Sequence, residues 1–315
     1  MVGPQASEIR RDKVGPTMTE GVEEVAAAPI AVADTLVRPV PWWAKVPWLP
    51  LILLSPMLVF GLFGQWLMPH DPTLIDFTNT QRPPAWLAGG SWSYPLGTDN
   101  FGRDLLSTLI DGAYVPLIVA IVGVFGAALI GITLGMVAGY FGGWVDALLM
   151  QLVDVKMSIP ATLLIILIGS AIGAGLPTIL SAIVFLFWAS YARVVRGQVL
   201  SLRERGYIAL ARVANCSNFW ILTRHILPNV LSTCIVLVTL QFGGAIMIEA
   251  GISFLGLGVQ PPASTWGLMV SGGRTYLGTA WWMPVFPGIA ITMTVMGANL
   301  FGDWLRDTLQ AQSKA

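Results

Sequence analysis

Residues 46–69 read VPWLPLILLSPMLVFGLFGQWLMP, twenty-four consecutive positions without a charged side chain. An α-helix rises about 1.5 Å per residue, so roughly 20 apolar residues cross the hydrocarbon core of a bilayer. Trp42, Trp43 and Trp48 stand at the opening of the stretch and Trp66 at its close. Indole rings favour the two headgroup regions, where one edge is apolar and the other is wet. The stretch therefore predicts a first membrane helix over 46–69, and the rest of the chain extends the same pattern.

Only 11% of the 315 residues are charged, while 55% are hydrophobic. A soluble domain carries about 25% charged residues, so most of this chain is built for contact with lipid. Net charge is zero, which gives no global field to attract nucleic acid. Cys216 and Cys234 lack metal-ligand spacing and read as lone small residues rather than a disulfide. Residues 1–45 mix acids, bases, Pro and small residues without periodicity and read as a disordered tail. The acids Glu8, Glu20 and Glu24, and the late start of the first apolar run, argue against a signal peptide.

Residues 70–111 are polar, contain five Asp, and read as a solvated external loop that also offers part of a seat for an external protein. Gly112–Val145 is uncharged and predicts span two, ending in a turn at Gly139, Gly142 and Gly143. Residues 146–193 hold spans three and four, divided by Gly173-Ala174-Gly175-Leu176-Pro177, which halts a helix and turns the chain. Pro228 is placed to open span five, expected to run to about Glu249, and Trp281-Trp282 marks the interface before span six over 283–302. The expected domains are thus the tail, span one, the external loop, and a core over 112–309 with five spans and a polar loop over 200–226. Six spans place both termini on one side. If that side is the cytoplasm, 14 of the 17 basic residues are inside and only Arg82, Arg103 and Arg274 are outside. Positively charged loops stay inside, so both termini are expected to be cytoplasmic, in an all-α membrane protein.

None of the four lysines is followed by Ser or Thr, which excludes a Gly-Lys-Ser/Thr phosphate loop. With two histidines, His70 and His225, there is no His-Glu-x-x-His metal site, and no Gly-x-Ser-x-Gly elbow is present. Catalysis is not expected. The most informative polar segment runs from Arg203 to Asn229. It reads as a short helix, a stop at Asn215, a second helix capped by Ser217, then Pro228. Tyr207, Leu210, Ala211 and Ala214 recur at helical spacing and form an apolar stripe. Such a stripe meets either anionic headgroups or a soluble partner, and spacing alone does not choose between them.

Arg203-Glu204-Arg205, Tyr207-Ile208, Ala211-Arg212, Ser217 and Arg224-His225-Ile226-Leu227-Pro228-Asn229 resemble the cytoplasmic coupling loop, or EAA loop, of ABC importer permeases. Three further strings resemble the C-type permeases of dipeptide, oligopeptide and nickel importers. They are residues 95–104 (PLGTDNFGRD), 253–262 (SFLGLGVQPP) and 299–307 (NLFGDWLRD). The resemblance covers roughly residues 45–309 and implies a type I ABC importer permease fold of six transmembrane helices. It further implies a B-type permease partner, two ATP-binding subunits that hold ATP and Mg, and an extracytoplasmic substrate-binding protein. Tyr207, Leu210, Ala211, Arg212, Ala214 and Asn215 would then dock the ATP-binding subunit. The sequence departs from the motif at Ala209-Leu210-Ala211, where Glu-Ala-Ala is usual, at Asn215 for the usual Gly, and at Gln151 for a common Arg. The solute implied is a peptide, with nickel or another small solute as the alternative and a secondary transporter as the more distant one. Charges inside apolar stretches are costly and mark function by default. Glu249, with Gln241 about two turns earlier, is therefore a candidate either for the substrate path or for a cap of the span at the interface, while Asp154 and Lys156 read as interfacial, with structural roles.

Overall fold

The computed structural model describes residues 46–312. The tail expected over 1–45 lies outside the described residues. The first helix, α1, spans Trp48–Leu67. Pro50, Leu54, Met57 and Gly64 face inward along one stripe, and most of the remaining surface is open. A span that buries one narrow stripe has lipid, not protein, on its other faces.

Span two, α2, runs Leu105–Phe141 and so begins seven residues before the expected Gly112. Asp104 sets that start: its carboxylate accepts from the Ser107 N–H at 3.0 Å and caps the helix. Asp111 closes its first turns, and a turn at Gly112-Ala113 leads into the rest of the span at Tyr114. A π-turn at Val119–Gly123 interrupts the regular bonding without breaking the span. Gly142, at φ +66°, then separates α2 from α3, Gly143–Ser158.

The expected third span is not one straight helix. α3 bends by 94° into α4, Ala161–Ile172, and neither half is long enough to cross alone. Ile159-Pro160 is the break, since a residue before proline is driven out of the helical region. Span four, α5, covers Leu176–Arg203. A short helix, α6, follows at Gly206–Val213. Span five, α7, runs from Asn218 to Phe254: its regular part, Leu227–Phe254, carries Pro228 in its opening turn as expected and runs past Glu249, and the preceding turns are joined to it without a break. The π-turn at Leu222–Ile226 allows this, because the Leu227 N–H bonds the Leu222 carbonyl five residues back and the helix absorbs the proline. α8 is Trp266–Gly273, and α9, Trp282–Gln312, carries span six. Five of these helices are apolar and long enough to span, and the bent α3–α4 pair makes the sixth.

The α2–α5 contact is the most extensive in the molecule, and α1, α7 and α9 pack beside it. Val119, Ile179, Ile183 and Tyr191 lie at its centre, essentially without solvent contact. A polar ladder clips α3 to α5. Arg196 forks onto Asp146, with Nη2 to Oδ2 at 2.6 Å, Arg193 pairs with Asp154, and Lys156 donates to the Leu186 carbonyl.

The segment over 70–104, mostly open to solvent as expected of a loop, is held in place as a cap. Asp99 accepts from the backbone of Phe101 and Arg103 and from the Arg103 guanidinium at 2.7 Å. Asp76 caps a turn at Phe77–Asn79, and hydrogen bonds from Thr78 and Asn79 hold its carboxyl below the usual carboxylate range. Buried indoles fasten the cap and the start of α2 to the rest of the bundle: Trp282 donates to the Thr98 carbonyl at 3.2 Å, and Trp266 to the Leu109 carbonyl at 2.9 Å.

The arginines of α5, α6 and early α7 gather at one end of the bundle and the aspartate-rich cap at the other. By the positive-inside rule the arginine end is cytoplasmic. Cys216 is half-buried at that end, whereas Cys234 is buried inside span five. A membrane-impermeant maleimide is expected to label Cys216 in inside-out vesicles and to spare intact spheroplasts. Labelling of spheroplasts would reverse the topology.

Candidate coupling surface

The candidate site is the connection between spans four and five. α5 ends at Arg203, whose Nη1 donates to the Gly139 carbonyl at 3.1 Å and ties the connection back to span two. α6 then runs only two turns, too short to be stable without tertiary packing. Ile208 and Ala211, one turn apart, supply that packing: both are buried with Val199, Ile221 and Ile226.

The end of α6 is closed by backbone geometry. Asn215 takes φ +58°, the left-handed conformation. The Cys216 N–H bonds the Ala211 carbonyl at 3.1 Å and the Asn215 N–H bonds Arg212 at 3.0 Å. Those two bonds define a Schellman closure. Ser217 then caps the next helix through the Trp220 N–H. Arg212 lies over the Tyr140 ring at 5.1 Å, and the Tyr140 hydroxyl donates to Asn218 at 2.9 Å. Each contact ties the turn to a span.

This geometry changes the expected stripe. Ala211 faces the chain's own core and is not part of an outward surface. The outward apolar set is Tyr207, Leu210, Val213 and Ala214. Leu210 is 71% exposed and Val213 85%, the most exposed large apolar side chain among the described residues. Phe219 and Trp220, at the start of α7, are also exposed, as are Arg205, Arg212 and Arg224. Nearly every residue of α6 is apolar, so its spacing allows two overlapping stripes, and only packing of Ile208 decides which one is buried. An apolar patch held rigidly at the cytoplasmic end, flanked in sequence by exposed arginines, is suited to dock a protein partner.

Residues 131–313 match the family of binding-protein-dependent transport system inner membrane components. The chain belongs to that family. The permease is 38% identical over 266 residues to a di/tripeptide transport system permease of Pseudomonas aeruginosa, covering 84% of this chain and 87% of that one. It is 37% identical over 262 residues to a probable D,D-dipeptide transport system permease of Escherichia coli, covering 83% and 86%. Its fold resembles a chain of the MetNI methionine ABC transporter solved in inward-facing conformations. The TM-score is 0.51 at 17% identity, over 65% of this chain and 97% of that one. This is a multi-pass bacterial inner-membrane protein with the type I ABC importer permease fold.

The two candidates for the substrate path in this permease do not converge. Glu249 is fully buried, accepts from Ser253 Oγ at 2.8 Å and has Thr265 beside its carboxyl. It neither caps the span at the interface nor faces open space. Gln241 is half-buried two turns away. Eight residues at 100° each place the two side chains about 80° apart around α7. Sequence reading overlooked the ion-pair ladder between α3 and α5. In the sequence Asp146 and Arg196 stand only as two separate charges at the borders of apolar stretches. No group of three or more potential metal ligands occurs among the described residues.

Asn215→Gly is expected to retain assembly and transport, since glycine occupies the left-handed region without steric cost. Asn215→Val, β-branched, costs about 1–2 kcal/mol there and opens the closure of α6. Uptake by the reconstituted complex is expected to fall several-fold for Val only. Equal uptake would show that the closure is dispensable.

Proposed function

We propose that this permease forms one transmembrane half of an ATP-driven importer of di- and oligopeptides. The exposed face of α6 carries the proposal: a rigid apolar knob at the cytoplasmic end, in a chain whose close relatives are named as peptide permeases. Tyr207, Leu210, Val213 and Ala214 would enter a cleft on a cytosolic ATP-binding subunit, with Arg212 and Asn215 fixing the angle of approach. Two such subunits would bind ATP and Mg, a B-type permease would complete the path, and an extracytoplasmic binding protein would deliver peptide. The chain itself would be non-catalytic, in keeping with its lack of a phosphate loop.

The coupling is a population shift. ATP favours the closed pair of ATP-binding subunits, and the knob carries that preference to the bundle, biasing it from inward to outward facing. The test is to reconstitute the permease with these subunits and measure uptake of labelled di- and tripeptides. ATP-dependent uptake with no hydrolysis by the isolated chain is expected. Hydrolysis by the chain alone would overturn the non-catalytic role. Uptake of Ni²⁺ or another solute in place of peptide would overturn the substrate while leaving the permease role standing.

A further inference from the structure

The external cap contains sixteen consecutive residues without a charge, Pro83–Thr98, inside a segment otherwise rich in Asp and Arg. Its aspartates are engaged locally: Asp76 in a turn, Asp99 with Arg103, and Asp104 at the start of α2. The middle of the uncharged run is laid across the outer ends of two spans. Trp86 meets Phe286 in the first turns of α9 edge-on, at 6.1 Å between ring centres. Tyr94 stacks at 5.2 Å on His70, three residues beyond the end of α1. These contacts fix the height of the loop 86–94 at the outer boundary of the bilayer, because the ends of α1 and α9 define that boundary. Trp66, 78% exposed in the last turn of α1, and Trp281, exposed just before α9, stand at the same two helix ends. Between the two tethers Trp92 is 80% exposed, with Leu87 also open.

We propose that the loop 86–94 is an interfacial membrane anchor, seated among the phospholipid headgroups of the outer leaflet with Trp92 and Leu87 turned toward lipid. Three observations favour lipid over a soluble protein. The loop continues the ring of indoles formed by Trp66 and Trp281, and tryptophan concentrates at membrane–water boundaries. It has none of the charge that steers a soluble partner. It offers Trp, Tyr, Ser and Gly, side chains that mix apolar area with short polar groups, as a headgroup layer does. The anchor would hold the external cap at a fixed height on the bilayer while the spans beneath it change state.

The test uses the permease assembled with its partner subunits in phosphatidylethanolamine–phosphatidylglycerol liposomes. Cys216→Ser and Cys234→Ala remove the native thiols. Single spin labels are then placed by Trp92→Cys and, as a second position, Ser93→Cys, with Leu62→Cys on α1 as the lipid reference. Variants are used only if they co-purify with the partners. At position 92 or 93 the ratio of the oxygen to the nickel-chelate collision rate is expected to lie at least twofold above that of the free label in water and below that at position 62. A ratio equal to that of the free label at both positions would put the loop in water and overturn the anchor. Protection from both reagents would mean that a protein covers the loop, and would overturn it equally.

Discussion

Gly131→Leu is expected to abolish the folded permease. On α2, Gly131, Gly135 and Gly139 lie one turn apart and press against α5. A Cβ built at Gly131 stands 2.3 Å from the Trp188 carbonyl oxygen and 2.5 Å from the Tyr191 Cβ. At Gly135 it stands 2.6 Å from the Ala192 oxygen, and at Gly139 2.8 Å from the Val199 Cβ. The Trp188 and Ala192 oxygens belong to backbone, which cannot rotate aside, so the helices must separate. Overpacking a core costs about 1–3 kcal/mol when side chains can adjust. Here the largest helix contact must open, and the expected loss exceeds about 3 kcal/mol. Membrane helices gain little from the hydrophobic effect once inserted and depend on such close approach for association. The measurement is yield of monodisperse protein in detergent, together with co-purification of the partner subunits. Gly197→Ala on α5 is the control: nothing lies within 4 Å of its Cβ, so yield should be unchanged. Normal yield of Gly131→Leu would mean that the α2–α5 contact does not set stability.

The spans were legible because the bilayer imposes a length and forbids charge, and both constraints are written in composition. Val46–Pro69 needs no partner to be recognised, and α1 departs from that range only at its ends. The bend after Ser158 was less legible. A run of apolar residues with one proline reads equally as a straight span or as two halves, and the 94° angle follows from how α3 is clipped to α5. The order of the cap over 70–104 was less legible because part of it comes from the bond of Trp282 to Thr98, 184 residues away. The i, i+4, i+8 spacing of Gly131, Gly135 and Gly139 was available as a signal of close packing. It was hidden among 34 glycines, most of which have other roles or none. At the coupling surface the stop at Asn215 was readable from residue type, because few side chains tolerate a positive φ. The burial of Ala211 was not, since Ile208 and Leu210 compete for the core on a helix apolar nearly all round.

Leu210→Asp is expected to separate the permease from its ATP-binding subunits while leaving the permease intact. Leu210 is the best position for this because it is open to solvent and contributes little to the chain's own core. Ala211→Asp would be ambiguous, since a carboxylate there enters the cluster around Ile226 and damages the permease itself. If the α6 face enters a cleft, Asp at position 210 places an unpaired carboxylate at a desolvated centre. An uncompensated buried charge costs about 3–5 kcal/mol, and 3 kcal/mol weakens association by roughly a hundredfold. Arg205 and Arg212 are exposed nearby, and an ion pair formed at the surface would return at most about 1 kcal/mol. The balance remains strongly against docking. If α6 instead rested on headgroups, the same change would loosen one short helix from the bilayer and leave the subunits together. Membrane insertion, co-purification of the ATP-binding subunits and peptide uptake are therefore measured on the same preparation. Normal insertion with both other readouts lost places the contact on Leu210. Full assembly and uptake in the variant would remove α6 from the coupling path and leave its exposed apolar face to the membrane surface.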